Sequence, residues 1–249
     1  MTQTAVSPEA SESVDYAGKD LEAMSFAENY HRWILEIFAP HLGSRLVEVG
    51  AGTGAFSELI LERRPRSLSL VEPSGMYRAL VTRVAAADPA TEVRTYNSLF
   101  AQVADEIAAA QRPDSIIYVN VLEHVPDDEA ELGAVRRTLC DGGRVFLFVP
   151  ALRWLYGSFD EQVGHFRRYM RRELEEKCRR AGFRILDSGY LDLPGVLPWW
   201  LKYRIVRSSA MEPGAVRLYD RYFIPVIKAA ESLVRPPIGK NLFVVAEKV

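Results

Sequence analysis

The chain has 249 residues, of which 48% are hydrophobic, and a formal net charge of −2 at pH 7. This length and hydrophobic content suffice to bury one large core, so we expect a single domain with insertions rather than two domains. The near-neutral charge gives no overall attraction to nucleic acid, and no apolar run reaches the length of a membrane span.

The cysteine usage and the N-terminus predict a cytoplasmic location. Cys140 and Cys178 show neither metal-ligand spacing nor the pattern of a disulfide framework. The first residues are polar and acidic and lack the charged-then-apolar order of a signal peptide. Residues 1 to about 18 have a composition typical of disorder, so we predict a flexible N-terminus.

Apolar runs and helical patterns alternate along most of the chain. Helical spacing from Lys19 to Ala39 predicts leading helices that end near Pro40 and Gly43. Strands are then predicted near residues 45–50, 67–71, 92–96, 115–119, 144–149, 183–188 and 241–247, and helices near 54–64, 75–86, 99–110, 127–139 and 172–180. Such alternation predicts an α/β fold with a parallel sheet wound on both faces.

A glycine-rich turn follows the first predicted strand. The acidic residue Glu48 precedes Gly50, Ala51, Gly52 and Gly54. Glycine lets the backbone turn sharply and lets a ligand approach without meeting a Cβ atom, and the helix that follows presents free amides. We predict that this turn cradles a cofactor. The same glycines fit the dinucleotide fingerprint, so the pattern alone leaves open an NAD-dependent oxidoreductase.

Three further segments make the pattern more specific: Glu28-Asn29-Tyr30-His31-Arg32-Trp33, Asn120-Val121-Leu122-Glu123-His124, and Asp160 to Tyr169. Together with the glycine turn they resemble bacterial class I S-adenosylmethionine-dependent methyltransferases, in particular the small-molecule group of types 11, 12 and 23. The resemblance implies a Rossmann-like, doubly wound, seven-stranded sheet. The sheet would be mostly parallel with an antiparallel last strand, and it would carry an N-terminal helical cap and an acceptor-side insertion.

We divide the chain into four parts. Residues 1–40 form the flexible N-terminus and helical cap, 41–190 the cofactor-binding core, 191–238 an apolar and basic insertion, and 239–249 the last strand. The insertion places aromatic residues such as Trp199 beside basic ones such as Lys202. It is longer than a hairpin needs, and a lid over the acceptor pocket, a membrane contact and a dimer interface all stay open.

Ligands of such sheets bind at the carboxyl ends of the strands. Glu72 follows the second strand, and its carboxylate can accept hydrogen bonds from both hydroxyls of a ribose. The neighbouring candidates are Pro73, Asn97 and Ser98. In the resemblance, Ser98 stands where many relatives have an aspartate that accepts from the adenine amine.

The remaining cofactor contacts follow from the resemblance. Tyr30 and Trp33 would lie near the methionine end of the cofactor, with a structural role as core aromatics as the alternative. Asn120, Val121 and Leu122 end the fourth strand and would lie beside the amino-acid end.

His165 is the candidate catalytic residue. It lies in the run Asp160 to Tyr169, which is rich in charged side chains. An imidazole titrates near working pH and can accept the proton of an acceptor hydroxyl or amine. The alternative is that this run braces its loop against the next helix.

A metal is not expected. Some O-methyltransferases have an E-x-x-E-H metal site at the position of Asn120 to His124. Here Asn120 replaces the first carboxylate, which removes a charged oxygen ligand. Metal-assisted O-methylation through Glu123 and His124 remains an alternative.

The predicted function is in-line methyl transfer from S-adenosylmethionine to oxygen or nitrogen of a small-molecule acceptor, in which orientation does most of the catalysis. Sugars, lipid-linked compounds and secondary metabolites fit, and the acceptor would be hydrophobic or anionic. No nucleic-acid partner is expected. Monomer, homodimer and peripheral membrane contact stay open, and so does a non-catalytic protein that keeps the cofactor fold.

Overall fold

The computed structural model describes residues 27–85, 88, 90–208 and 212–249. The predicted flexible N-terminus and the start of the predicted leading helices lie outside these residues. The first described helix, α1, spans Glu28–Phe38, and a 3-10 turn over Ala39–His41 follows it.

Seven strands form one sheet in the order β3-β2-β1-β4-β5-β7-β6. Their bounds are β1 Arg45–Val49, β2 Ser67–Val71, β3 Glu92–Tyr96, β4 Ser115–Val119, β5 Arg144–Pro150, β6 Phe183–Leu191 and β7 Asn241–Lys248. The first five strands pair in parallel, whereas β7 runs antiparallel to both β5 and β6. This confirms the predicted Rossmann-like fold.

Helices connect the strands and flank the sheet. Their bounds are α2 Ala55–Leu61, α3 Tyr77–Val84, α4 Phe100–Gln111, α5 Asp128–Thr138, α6 Ser158–Gln162 and α7 Arg171–Arg180. Between β6 and β7 the described helices are α8 Val196–Trp199, α9 Pro213–Leu218 and α10 Ile224–Leu233. Helix α8 continues as a π-helix over Trp200–Ile205, and α9 continues as another over Tyr219–Phe223.

The central strands are buried on both faces, as expected for parallel strands between two layers of helices. Ile116 and Tyr118 of β4 pack in the core on one face, while Ile117 packs in the core on the other. The alternation follows from the period of two along a strand. A rigid sheet therefore holds the turns at its carboxyl edge in place.

Two features bring residues to that edge. The order of strands reverses between β1 and β4, and open α/β sheets bind ligands at such a switch point. Since β7 is antiparallel, it begins at Asn241 at the same edge where the parallel strands end. No helix within the described residues has the length and hydropathy to cross a bilayer.

Asp220, from the segment between β6 and β7, caps the first helix. Its carboxylate accepts hydrogen bonds from the backbone amides of Asn29 at 3.0 Å and Tyr30 at 2.9 Å. A carboxylate at a helix N-terminus satisfies free amides and interacts favourably with the helix dipole. This contact fixes α1 over the carboxyl edge of the sheet.

Candidate active site

The glycine turn lies between β1 and α2 and is open to a ligand. Gly50 and Gly52 have positive φ angles of 71° and 56°, which favour glycine. A Cβ atom on Gly50 would come within 2.3 Å of Cγ2 of Val121, so the chain packs closely there. A Cβ atom on Gly52 would meet nothing within 4 Å, because that residue faces a cavity. The turn therefore leaves room for a ligand against its backbone.

Glu72 lies against this turn, immediately after β2. Its carboxylate accepts hydrogen bonds from the amides of Gly52 at 2.7 Å and Ser74 at 2.9 Å. The side chain is buried but lies behind the turn rather than in the cavity wall. Support of the turn is a role of Glu72 beyond the predicted ribose contact.

Glu48 is a buried carboxyl group in the cavity wall. Burial raises its pKa to about 8, the charge of Glu72 adds to the rise, and a hydrogen bond from Ser57 opposes it. Oγ of Ser57 donates to Oε2 of Glu48 at 2.6 Å. A cation placed beside Glu48 would favour the ionised carboxylate, so the position suits a positively charged ligand.

The cavity has a volume of about 350 Å³, within the size range of small-molecule sites. It brings together seven of the predicted site residues, namely Tyr30, Glu48, Gly50, Ala51, Gly52, Asn120 and His165. The cavity wall also includes His31, where burial lowers the pKa to about 4. Most of these residues come from three places in the fold: helix α1 and the carboxyl ends of β1 and β4.

Other predicted residues lie outside the cavity wall: Trp33, Gly54, Glu72, Pro73, Asn97, Ser98, Val121 and Leu122. Trp33 is a buried core residue whose ring centre lies 6.0 Å from that of Tyr30. Leu122 is also in the core. Asn97 and Ser98 follow the edge strand β3, and Oγ of Ser98 donates to Oε1 of Gln102 at 2.7 Å. Asn97 and Ser98 therefore lie at the edge of the sheet, separated by β2 from the switch point at β1. This separation explains why they do not line the cavity although they follow the end of a strand.

His165 lines the same cavity and is held by Asp160. Its Nδ1 is 2.7 Å from Oδ1 of Asp160, and Nε of Arg168 donates to the same oxygen at 2.8 Å. Asp160 and Arg168 are both buried, and the Arg168 side chain also donates to the backbone oxygen of Ala151. The Asp160 to Tyr169 run therefore orients the imidazole and also holds its own loop.

Glu123, His124 and His165 form a compact group of potential metal ligands. One ligand atom from each lies within 4.8 Å of the others. Glu123 is fully buried, and neither of its carboxylate oxygens has a hydrogen-bond partner; Nε2 of His165 lies 3.8 Å from Oε1. Burial raises the pKa of Glu123 to about 7, and the charge of His165 opposes the rise. Burial, followed by the charge of His165, lowers the pKa of His124 to about 3.

The segment between β6 and β7 supplies an aromatic and basic wall that includes Trp199 and Lys202, two residues that the sequence indicated in the insertion. Trp199, Tyr203 and Tyr219 line the cavity, together with Lys202 and Lys240. Nζ of Lys240 lies 5.5 Å from the ring centres of Trp199 and Tyr219, within the range of cation–π contacts. It is also 2.7 Å from Oδ2 of Asp192.

Two cavity residues that were not predicted had a signal in the sequence. Lys240 and Asn241 stand at the start of the predicted last strand, and an antiparallel strand begins at the edge where parallel strands end. Applying the strand-end rule to that strand would have selected them. Asp220 and Tyr219 had no comparable signal, because they lie inside a helical segment whose path the sequence does not fix.

Comparison with known proteins identifies the family. The sequence profile of the methyltransferase domain family matches residues 22–188, which is more than half of the chain. The chain belongs to this family. Its fold is that of class I methyltransferases, and S-adenosylmethionine is the cofactor that the family and the similar structures indicate.

A ubiquinone biosynthesis O-methyltransferase from Aeromonas salmonicida is 30% identical over 121 residues. The match covers 46% of this chain and 47% of that protein, so the chain spans about half the length of the relative. A SAM-dependent methyltransferase from Archaeoglobus fulgidus has a similar structure, with a TM-score of 0.61, 15% identity, and coverage of 92% of this chain and 99% of that one.

The phosphoethanolamine N-methyltransferase 2 of Haemonchus contortus, solved with S-adenosyl-L-methionine, is also similar. Its TM-score is 0.59 at 14% identity, and the match covers 94% of this chain and 59% of that one. At such identities the structures support the fold. They do not identify the acceptor of this chain.

Proposed function

We propose that this methyltransferase transfers a methyl group from S-adenosylmethionine to an oxygen or nitrogen atom of a small-molecule acceptor. The supporting observation is that one cavity is lined both by the glycine turn and by His165. Gly52 and Glu48 bound the cofactor end, and His165 bounds the acceptor end. Orientation of two reactants in one site can lower a barrier by several kcal/mol.

The chain's residues fit the cofactor at the glycine turn. A side chain on Gly52 would occupy the space that a ligand needs against the backbone. Glu72 has lone pairs beyond its two backbone contacts, and these would accept hydrogen bonds from the ribose hydroxyls of a cofactor held against the turn. Glu48 would hold the ammonium group, whose positive charge would stabilise the ionised carboxylate. Tyr30 and Asn120 would complete the methionine end.

The cofactor supplies an activated methyl group on a sulfonium ion. With the cofactor bound, Nε2 of His165 would take the acceptor's proton while the acceptor atom bonds to the methyl carbon in place of the sulfur. Asp160 orients His165 through Nδ1 and stabilises the resulting imidazolium. The chain thus contributes alignment, a proton acceptor and exclusion of water.

The acceptor-side wall favours a hydrophobic acceptor with an anionic group. Trp199, Tyr203 and Tyr219 offer apolar surface, while Lys202 offers a positive charge. The relative from Aeromonas salmonicida is named as an O-methyltransferase, which makes a hydroxyl group the first choice.

Metal-assisted O-methylation is a second candidate, favoured by Glu123. A fully buried carboxylate without hydrogen-bond partners is costly, and a cation beside two imidazoles would compensate it. Glu123, His124 and His165 would hold the ion, which would polarise the acceptor oxygen. In this case His165 would be a ligand rather than a base.

An acceptor screen with methyl-labelled cofactor tests the proposal. Hydroxylated aromatics, lipids, nucleotide sugars and amines would be incubated with the full chain, with and without a chelator. We expect label in a hydroxyl-bearing hydrophobic acceptor. Transfer that stops on chelation and returns with a divalent ion would favour the metal candidate. Binding of NAD but not of S-adenosylhomocysteine would contradict both candidates, and tight cofactor binding without transfer to any acceptor would favour a non-catalytic protein.

A further inference from the structure

Most of the large hydrophobic side chains that are exposed in the described part of the chain lie in residues 193–238, between β6 and β7. Exposed apolar residues are normal when scattered, but a concentration in one segment marks an interaction surface. The helices of this segment also line the cavity. A partner that covers the outer faces of these helices would therefore also lie beside the cavity.

The first helical stretch of the segment, residues 196–205, has two apolar faces. Leu197, Leu201 and Ile205 follow one another at intervals of four and are 61%, 45% and 56% exposed. Trp199 and Tyr203, on the other side of the same stretch, face the cavity. Residues four apart lie on one face of a helix, so the three exposed side chains form an outward stripe.

The second stretch, α9 with its π-helical continuation and α10, repeats this arrangement. Leu218, Tyr222 and Val226 are again four apart and are 56%, 58% and 68% exposed. Asp220 and Ile224 between them are buried. The two helical stretches line one cavity. We call their six exposed side chains the outer apolar face: Leu197, Leu201, Ile205, Leu218, Tyr222 and Val226.

The charge around the outer apolar face is positive although the whole chain is slightly negative. Residues 193–238 contain seven lysines and arginines against three acidic residues. Arg204, Arg207 and Arg221 are exposed. Two of the acidic residues are already bound elsewhere: Asp220 caps α1, and Glu231 accepts from the backbone amides of residues 192 and 193. Two of the basic residues likewise pair with carboxylates outside the segment, Lys228 with Glu36 and Arg235 with Asp187. Five basic residues and one acidic residue stand outside these contacts, so the excess stays positive.

This charge distinguishes between two occupants of the face. In a dimer built on one two-fold contact, the same basic surface would meet itself, and the like charges would repel. An anionic lipid surface would attract these residues, while helices with apolar outer stripes and basic flanks insert shallowly at the interface. The charge complementarity therefore favours a membrane.

We propose that the outer apolar face docks on the surface of an anionic lipid bilayer. The acceptor would then be carried in that bilayer and reach the cavity between α8 and α9, past Trp199 and Tyr219. This statement about the acceptor rests on the proposed methyl transfer, whereas the docking itself does not.

Vesicle binding by the full chain tests the docking. Phosphatidylcholine vesicles with and without phosphatidylglycerol would be sedimented with the protein at low and high salt. We expect strong binding only to the anionic vesicles, weakened by salt, which screens the charges. Equal sedimentation with both vesicle types, or none with either, would overturn the proposal.

Three double variants separate the contributions. Leu197→Asp with Leu201→Asp, and Leu218→Asp with Val226→Asp, should each weaken binding by at least about tenfold. Arg204→Glu with Arg207→Glu should weaken it by at least about 25-fold, because each basic residue near an anionic surface is worth about a factor of five. All three should retain S-adenosylhomocysteine binding, which serves as the check on folding.

Val249→Asp is the matched control. Val249 is 66% exposed, and it follows the end of β7 that points away from the cavity. Its vesicle binding should equal that of the unaltered chain. If the double aspartate variants bound vesicles as strongly as this control, the proposed lipid docking would be wrong. It would also be wrong if no form of the chain bound vesicles and the double aspartate variants only dissociated a dimer. Vesicle binding without cofactor binding would leave the docking standing and overturn the proposed methyl transfer.

Discussion

Nδ1 of His165 lies 2.7 Å from Oδ1 of Asp160, an oxygen that also accepts from Arg168. Burial alone would raise the pKa of Asp160, but the hydrogen bonds and charges of His165 and Arg168 outweigh it and hold that pKa below its ordinary value. An ionised Asp160 can only accept, so Nδ1 of His165 carries the proton and Nε2 is the basic nitrogen. This tautomer suits proton transfer from an acceptor.

His165→Ala should lower turnover by about 10²–10⁴-fold, because general-base catalysis contributes on that scale. Cofactor affinity should change little, because the loss is confined to the proton acceptor. Steady-state rates and calorimetry with S-adenosylhomocysteine would measure the two effects.

Tyr156→Phe is the control for a bracing role of the same loop. The hydroxyl of Tyr156 donates to the backbone oxygen of His165 at 2.8 Å without touching the ring. Tyr156→Phe should leave turnover nearly unchanged, because the imidazole and its contact with Asp160 stay in place. If His165→Ala instead lost stability and acceptor affinity while turnover at saturating acceptor was preserved, His165 would be a brace.

Gly52→Val should abolish binding of S-adenosylhomocysteine while the fold largely survives. No protein atom would meet the new Cβ, but the branched side chain would fill the space beside the turn and strain its positive φ. Calorimetry measures the affinity, and thermal unfolding measures the fold. Unchanged affinity would mean that the cofactor binds elsewhere. Gly142→Val, which also has a positive φ and open space but lies outside the cavity wall, controls for backbone strain.

Glu72→Ala should weaken cofactor affinity by about 1.5–3 kcal/mol, the range for hydrogen bonds to a charged group. Since Glu72 also holds the amide of Gly52, the loss could arise from the turn instead of the ribose. A double cycle with a 2′-deoxy cofactor product separates the two. A ribose contact predicts that the unaltered chain discriminates against the deoxy ligand and the variant does not. Equal discrimination by both would assign Glu72 to the turn alone.

Glu48→Gln should flatten the dependence of stability on pH. The pKa of Glu48 rises from 4.5 to about 8 on burial, so the folded state binds the proton more tightly than the unfolded state. Its contribution to the free energy of unfolding is therefore complete below about pH 4.5 and is lost as the pH rises to about 8. Urea unfolding across this window, compared with Glu58→Gln on the surface of α2, measures it.

The comparison with a variant is needed because His31 acts in the opposite direction. Burial lowers its pKa from 6.5 to about 4, so its contribution is present above about pH 6.5 and is lost as the pH falls to about 4. The two effects overlap in the unaltered chain. If Glu48→Gln kept the same pH dependence as the Glu58→Gln control, the pKa of Glu48 would not be raised.

The sheet and the glycine turn were predictable because they depend on local patterns. Apolar runs in the sequence predicted the seven strands of the sheet, and Gly50 and Gly52 indicated the turn that lines the cavity. Trp33 shows the limit of such patterns, since helical spacing puts it on the same side of α1 as Tyr30 but cannot tell the cavity from the core. The approach of His165 to Glu123 could not be predicted from the sequence, because β4 and the loop after β5 come together only in the fold.

Asp220 and the Asn29–Tyr30 amides that it caps lie 190 residues apart in sequence. A fragment that ended at residue 188, where the family profile ends, would keep α1 but lose its cap. It would also lose β7, which separates β5 from β6 in the sheet. The stretch that matches the family profile is therefore shorter than the stretch this protein needs in order to fold as a unit, and an isolated domain cut at residue 188 should not be stable.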